Sequence, residues 1–166
     1  MTLKRISLIF LGFLLLSQPI FAQQKSIKFD TYTIEDGLSQ SQVSSIQQDR
    51  NGFLWIATQD GLNRFDGYNF EVLKNEANNS NSLPNNYVHF LLPDQLGNLW
   101  FGTNRGIGKL NPLTGEISKI NRDDYPGLRG YIFTHMAFDA NGQIWAMSEK
   151  HGINIINSQT KEVEIK

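Results

Sequence analysis

At 166 residues, with 40% hydrophobic and 11% aromatic content, the chain has the composition of a folded globular protein with one modest core, which excludes a disordered chain. A formal charge of −1 provides no basic footprint for nucleic acid, and removal of the N-terminal segment carrying Lys4 and Arg5 leaves 13 basic against 16 acidic residues. Cysteine is absent, so neither a disulfide framework nor a thiolate metal site is available.

Residues 1–22 have a signal-peptide layout: a short basic start, an apolar run from Ile6 to Leu16, a Gln18-Pro19 break and Ala22 at the cleavage point. The apolar run is shorter than the roughly 20 residues a spanning helix needs. The reading is therefore an N-terminal signal helix, export with a mature start near Gln23, and no membrane span after signal removal. Residues 23–42 form an N-terminal strand and lead-in, in which "SIKFDTYTIE" is expected to add an outer strand to the last blade of a closed ring, a partner expected to be missing from this chain.

The rest of the chain repeats one unit. "GFLWIATQDGLNRFDG", "GNLWFGTNRGIGKLNP" and "GQIWAMSEKHGINIIN" align with Asp49, Asp94 and Asp139 in register, as are Gly52, Gly97 and Gly142, and Trp55, Trp100 and Trp145, each 45 residues apart. Thr58, Thr103 and Ser148 keep the register, and Gly61, Gly106 and Gly152 follow it until a one-residue insertion within "SEKHG". Each copy divides into four strand-like runs, which in the first are "VSSIQQD", "FLWIAT", "GLNRFD" and "NFEVLK". "DRNG", "DQLG" and "DANG" place Asp first and Gly fourth, as a type I turn leading into a left-handed position prefers, and Asp66-Gly67 and "NPLTG" are further hairpin signals.

Four strands per unit of about 45 residues, with a Trp at one fixed place, is the arithmetic of a β-propeller blade. The expected fold is all-β: four-stranded antiparallel blades at 43–74, 88–120 and 133–166, belonging to an incomplete propeller because closed rings have about four to eight blades. Trp55, Trp100 and Trp145 are expected in equivalent buried places between blades, with the Asp and Gly residues forming turns. "DRNG" does not make a calcium loop, since Gly52 comes too early and no acidic twelfth ligand follows; no metal or cofactor is expected.

"YTIEDGLSQSQVSSIQQDRNGFLWIATQDGLNRFDGYNF", followed by "GNLWFGTNRGIGKL", resembles the opening of the two-component regulator propeller family. The resemblance spans residues 27–166 and weakens in the third copy, where Ser148 replaces Thr and the loop lengthens. It implies the periplasmic sensor region of a hybrid two-component system histidine kinase of Bacteroidetes, with blades followed by a further β domain, an inner-membrane helix, a kinase and a response regulator with a DNA-binding domain. Several family members respond to oligosaccharides. The chain then reads as an N-terminal fragment of such a sensor, whose partners are an oligosaccharide bound through the full sensor and the remaining blades or a second copy. His89, His135 and His151 have no phosphoacceptor context.

In an up-and-down blade successive turns alternate between two rims. The loops "TQDGL", "TNRGI" and "SEKHGI" share one rim with the connections "NEANNSNSLPNN" and "NRDDYPGLRG", which are longer and richer in Asn, Arg and Tyr, as binding loops on a rigid scaffold tend to be. Candidate ligand contacts are Asp60, Tyr87, Arg105, Tyr125, Arg129 and His151: aromatic faces stack on sugar rings, and Arg and Asp give directional hydrogen bonds. No paired carboxylates or histidine cluster recur at matching positions, so no catalytic residues are assigned and the chain is not expected to be an enzyme. The alternatives are an exported propeller scaffold for protein interaction and a propeller lyase or hydrolase.

Overall fold

Short runs of Val, Ile, Phe and Trp between Asp-Gly and Asn-Gly breaks favour hairpins over any other local structure, and a computed structural model shows twelve strands joined in this way. It describes residues 27–166; the segment read as a signal helix lies outside them. Tyr32–Lys166 form the unit that carries every strand described.

The first sheet contains β1 (Val43–Gln48), β2 (Leu54–Thr58), β3 (Gly61–Phe65) and β4 (Phe70–Leu73). The second contains β5 (Val88–Pro93), β6 (Leu99–Thr103), β7 (Gly106–Leu110) and β8 (Ile117–Ile120), and the third β9 (Phe133–Phe138), β10 (Ile144–Ser148), β11 (Gly152–Ile156) and β12 (Val163–Ile165). Within each sheet every strand pairs antiparallel with its sequence neighbour. The fold is all-β, with three four-stranded blades.

The blades stack through their first strands, β1 against β5 and β5 against β9. Each first strand carries a bulge at the same place, leaving Ser44, His89 and Thr134 outside the ladder. At the first junction the bulge is used directly: Ser44 Oγ donates to the Val88 carbonyl at 2.6 Å, and the Leu91 amide donates to Ser45 Oγ at 3.2 Å.

Apolar side chains fill the spaces between blades. Trp55, Leu62, Leu83, Leu91, Phe101 and Leu110 form one core between the first and second blades; Trp100, Ile107, Tyr125, Leu128, Phe133 and Ile144 form another between the second and third. The middle blade is thus covered on both faces, and all five residues of β6 are buried. Its glycines make this possible: a Cβ on Gly108 would sit 2.1 Å from the Phe101 ring.

The three tryptophans are equivalent in register but not in burial. Trp55 is 3% exposed and Trp100 6%, whereas Trp145 is 37% exposed, which corrects the expectation of three buried indoles. Each Trp faces the next blade, and among the described residues no sheet lies beyond the third. Met147, on the same face of β10, is exposed with it.

The lead-in forms no strand where its expected partner, the last blade of a closed ring, is not among the described residues. Residues 27–42 contain no strand; a 3₁₀ turn, Ile34–Asp36, is closed by a capping box in which Thr33 and Asp36 satisfy each other's backbone amides. A strand needs a partner edge for its amides and carbonyls, and residues 32–42 instead lie on the first blade. Leu38 joins Ile56 and Phe65 in a small core, and Tyr32 meets Phe65 edge-on at 4.9 Å between ring centroids.

The "DxxG" turns share one set of bonds. Asp94 Oδ1 accepts from the Leu96 and Asn98 amides, both at 2.9 Å, while its Oδ2 accepts from the Asn98 side chain at 2.8 Å and the Trp100 indole at 3.0 Å. Burial pushes the Asp94 carboxyl up, but these donors outweigh it and leave its pKa below the usual carboxylate value. Asp139 is lowered in the same way, by the Gln143 and Asn141 amides and the Trp145 indole acting against desolvation.

Candidate functional site

The opposite rim is built from the loops between second and third strands and the connections between blades. Each loop is locked by a hydroxyl: Thr58 Oγ1 donates to the Gly61 carbonyl at 3.0 Å, Thr103 to Gly106 at 2.9 Å and Ser148 to Gly152 at 3.3 Å. Glycine is required after the loop. Gly106 has φ +124°, and a Cβ there would approach the Ile120 carbonyl oxygen to 2.7 Å. The freed amide reaches outward instead, so that Gly61 N donates to Asn86 O at 2.8 Å and Gly106 N to Tyr131 O at 2.9 Å. These bonds hold loop and connection on one rim.

Two buried asparagines fix the segments that enter the first and third blades. Asn63 accepts from the Ser39 amide at 2.8 Å and donates to Ser39 Oγ and the Ile56 carbonyl at 2.9 and 3.0 Å. Asn154 accepts from the Arg129 amide at 2.8 Å and donates back to the Arg129 carbonyl at 3.1 Å. The middle blade has Gly108 at this place, with the Phe101 ring filling the space.

On this scaffold the candidate contacts separate. Asp60 is already occupied: Lys74 Nζ lies 2.6 Å from its Oδ2, and Asn86 Nδ2 donates to its Oδ1 at 3.1 Å. Tyr87 is half-buried, its hydroxyl accepting from Gln59 at 3.2 Å and its ring stacked on His89 at 4.4 Å, with His89 Nε2 2.6 Å from Asn104 Oδ1. Tyr125 is 6% exposed, so its ring belongs to the core between the second and third blades, and burial followed by the neighbouring Asp124 charge raises its pKa. The Tyr-Pro-Gly-Leu segment turns this side chain inward. Arg129 is exposed and held through its backbone.

Arg105 and His151 come together. A cleft of about 550 Å³ is lined by Asn104, Arg105, Tyr131, Glu149, Lys150 and His151. A second, of about 360 Å³, is lined by Pro84, Arg105, Lys119, Asn121, Arg122 and Tyr131 among others. Arg105 and Tyr131 are common to both, so the clefts adjoin across them. Tyr131, Arg122 and Lys119 were not singled out in the sequence. Tyr131 is 58% exposed, with Arg122 Nη1 donating to its hydroxyl at 2.9 Å and the guanidinium 5.2 Å from its ring centroid. Its place just before β9, 45 residues after Asn86 at the same loop-to-connection bond, was the available signal.

The cleft pair can stack one flat ring and present guanidinium, ammonium, amide and imidazole donors around it. Among the described residues no group of three or more His, Asp or Glu side chains is placed to hold a metal ion, and no helix is long and apolar enough to cross a membrane.

Comparison with known proteins agrees with the repeat. The model of the two-component regulator propeller family matches residues 37–60 and 82–105. A histidine kinase of Formosa agariphila is 44% identical over 77 residues, which are 46% of this chain and 6% of that protein. Among solved structures, the extracellular domain assigned to a hybrid two-component system of B. thetaiotaomicron superposes with a TM-score of 0.59 at 24% identity, over 82% of this chain and 26% of that one. A protein of unknown function from Bacteroides caccae gives a TM-score of 0.51 at 13% identity, covering 71% of this chain and 46% of that one. The two structures share the fold, and this chain spans about a quarter of the first. The two matched stretches lie 45 residues apart, at the register that places Asp49 and Asp94 in equivalent turns, so the first two blades are similar to the repeats of the two-component regulator propeller family.

Proposed function

We propose that the chain is the N-terminal part of the periplasmic, ligand-sensing propeller of a hybrid two-component system, and that it helps bind an oligosaccharide whose presence is passed to transcription by the rest of the sensor. The observation that carries the reading is the adjoining pair of clefts sharing Arg105 and Tyr131, on the rim where loops and connections vary between repeats. An exposed aromatic ring flanked by charged and amide donors is the chemistry of a sugar subsite. Export is supported by the signal-peptide layout of residues 1–22 and by a structural neighbour that is an extracellular domain.

Calorimetric titration with a panel of plant, algal and host oligosaccharides tests this. Binding should weaken about tenfold when Arg105 or Tyr131 becomes Ala, the scale of one lost charged hydrogen bond or stacking contact, and should change little for Asp49→Ala on the opposite rim. Equal loss from both rims would contradict it.

A second reading, a scaffold for protein interaction, is favoured by the outward face of the third blade, where Trp145 and Met147 are exposed. Remaining blades or a second copy of the sensor would cover that face.

A further inference from the structure

The internal repeat provides its own comparison for the rim corners. In the first blade the corner holds Asp60 after β2, Lys74 after β4 and Asn86 in the following connection, and the carboxylate is satisfied by both of its neighbours at 2.6 and 3.1 Å. The second blade places Arg105 where the first has Asp60, Asn121 where it has Lys74, and Tyr131 where it has Asn86, as the strand register and the matching glycine bonds require. The acid has been replaced by a cation. Lys119 and Arg122 line the same cleft, so three of the chain's 15 Lys and Arg residues converge there with only Asp123 of opposite sign. Among the described residues none of these three cations makes an ion pair.

We infer that this corner takes an anionic group from the ligand, in the role that Asp60 fills within the first blade, and that the oligosaccharide sensed carries carboxylate or sulfate substituents. The inference deepens the function proposed above and rests on the same cleft. Guanidinium groups bind planar carboxylate and tetrahedral sulfate through paired N–H donors, and Arg122, steadied against Tyr131, presents its charge beside the ring on which a sugar would stack. A neutral sugar would leave three like charges in the cleft offset by Asp123 alone.

Two measurements on the 166-residue chain separate the anion from the sugar. In amide chemical-shift mapping, inorganic sulfate and free glucuronate should each perturb Arg105, Arg122 and Tyr131, while chloride at equal ionic strength should not. Paired titrations then compare oligosaccharides of one backbone in neutral, uronate and sulfated forms. The acidic forms should bind at least about tenfold more tightly, with a gain that shrinks as salt rises and disappears in Arg105→Gln and Arg122→Gln but survives in Arg50→Gln, a charge removed from the opposite rim. Whichever acidic form retains the gain identifies the source. Equal binding of neutral and acidic forms overturns the anion inference while leaving the sugar cleft standing; shifts with sulfate and glucuronate but binding by no oligosaccharide overturns the sugar reading, leaving an adventitious ion only.

Discussion

Trp100 and Asp94, six residues apart, are joined by an indole N–H bond to the carboxylate at 3.0 Å, and the same bond links Trp55 to Asp49 at 2.9 Å and Trp145 to Asp139 at 3.3 Å. One residue therefore serves two purposes in every blade. The carboxylate organises the turn between first and second strands and, through its other oxygen, orients the indole that packs toward the next blade. Turn and inter-blade core are coupled, so damage to the first should be felt in the second.

Asp94→Ala should destabilise the chain by about 1–2 kcal/mol, the range for hydrogen bonds to a charged group after allowance for its partial exposure. Asp139→Ala should cost less, because among the described residues its indole partner has no blade to pack against. Urea denaturation of both variants decides this, and equal effects would show that the turn alone matters.

The lowered pKa values of Asp94 and Asp139 set the direction of acid sensitivity. A carboxyl that titrates lower in the folded chain than in the unfolded one stabilises fully above about pH 4 and loses that contribution as pH falls through the depressed value. Melting temperature should therefore drop steeply below about pH 4. Asp94→Asn should be less stable near neutrality and show a shallower acid slope; an unchanged slope would refute the role given to this carboxylate.

Asn63→Ala should cost about 2–3 kcal/mol, since it removes the acceptor of the Ser39 amide and the side-chain bonds to Ser39 Oγ and the Ile56 carbonyl, and leaves a gap at a fully buried site. Hydrogen exchange should quicken at Ser39 before the strands of the first blade respond. Uniform quickening across the blade would mean that Asn63 supports the sheet and not the lead-in.

Trp100→Ala should cost about 3–5 kcal/mol, as for other large buried aromatic residues, and Trp145→Ala much less. In single-tryptophan variants, acrylamide should quench Trp145 more readily than Trp55 or Trp100. Because Trp145 and Met147 leave an apolar sheet face open, the chain should self-associate with rising concentration, and Met147→Lys should suppress this in sedimentation. A chain that stays monomeric at every concentration would remove the support for an interface there.

Hairpins were legible in the sequence because turn residues and strand periodicity act locally: Asp first and Gly fourth, or a glycine obliged to a positive φ, encode a turn without reference to the rest of the chain. Burial was legible only where the neighbour is also a repeat. Trp145 looks the same as Trp100 in sequence, and only the absence of a facing sheet among the described residues exposes it. Tyr125 lies in a polar connection and reads as a surface aromatic, but the turn after it folds the ring into the core, leaving Tyr131 at the rim. The asparagine clamp was hidden because Asn63 and Asn154 are interrupted by Gly108, whose space Phe101 takes. The inverted charge at Arg105 depends on three segments meeting, which residue spacing alone does not reveal.

Hydrogen–deuterium exchange with and without a bound oligosaccharide tests the central claim most directly, because it reports both rims of all three blades at once. Protection is expected at residues 103–106, 128–133 and 148–152, around the clefts shared by Arg105 and Tyr131, and none at the "DxxG" turns of residues 49–53, 94–98 and 139–143. Protection of those turns, with the Arg105 rim unchanged, would contradict the account.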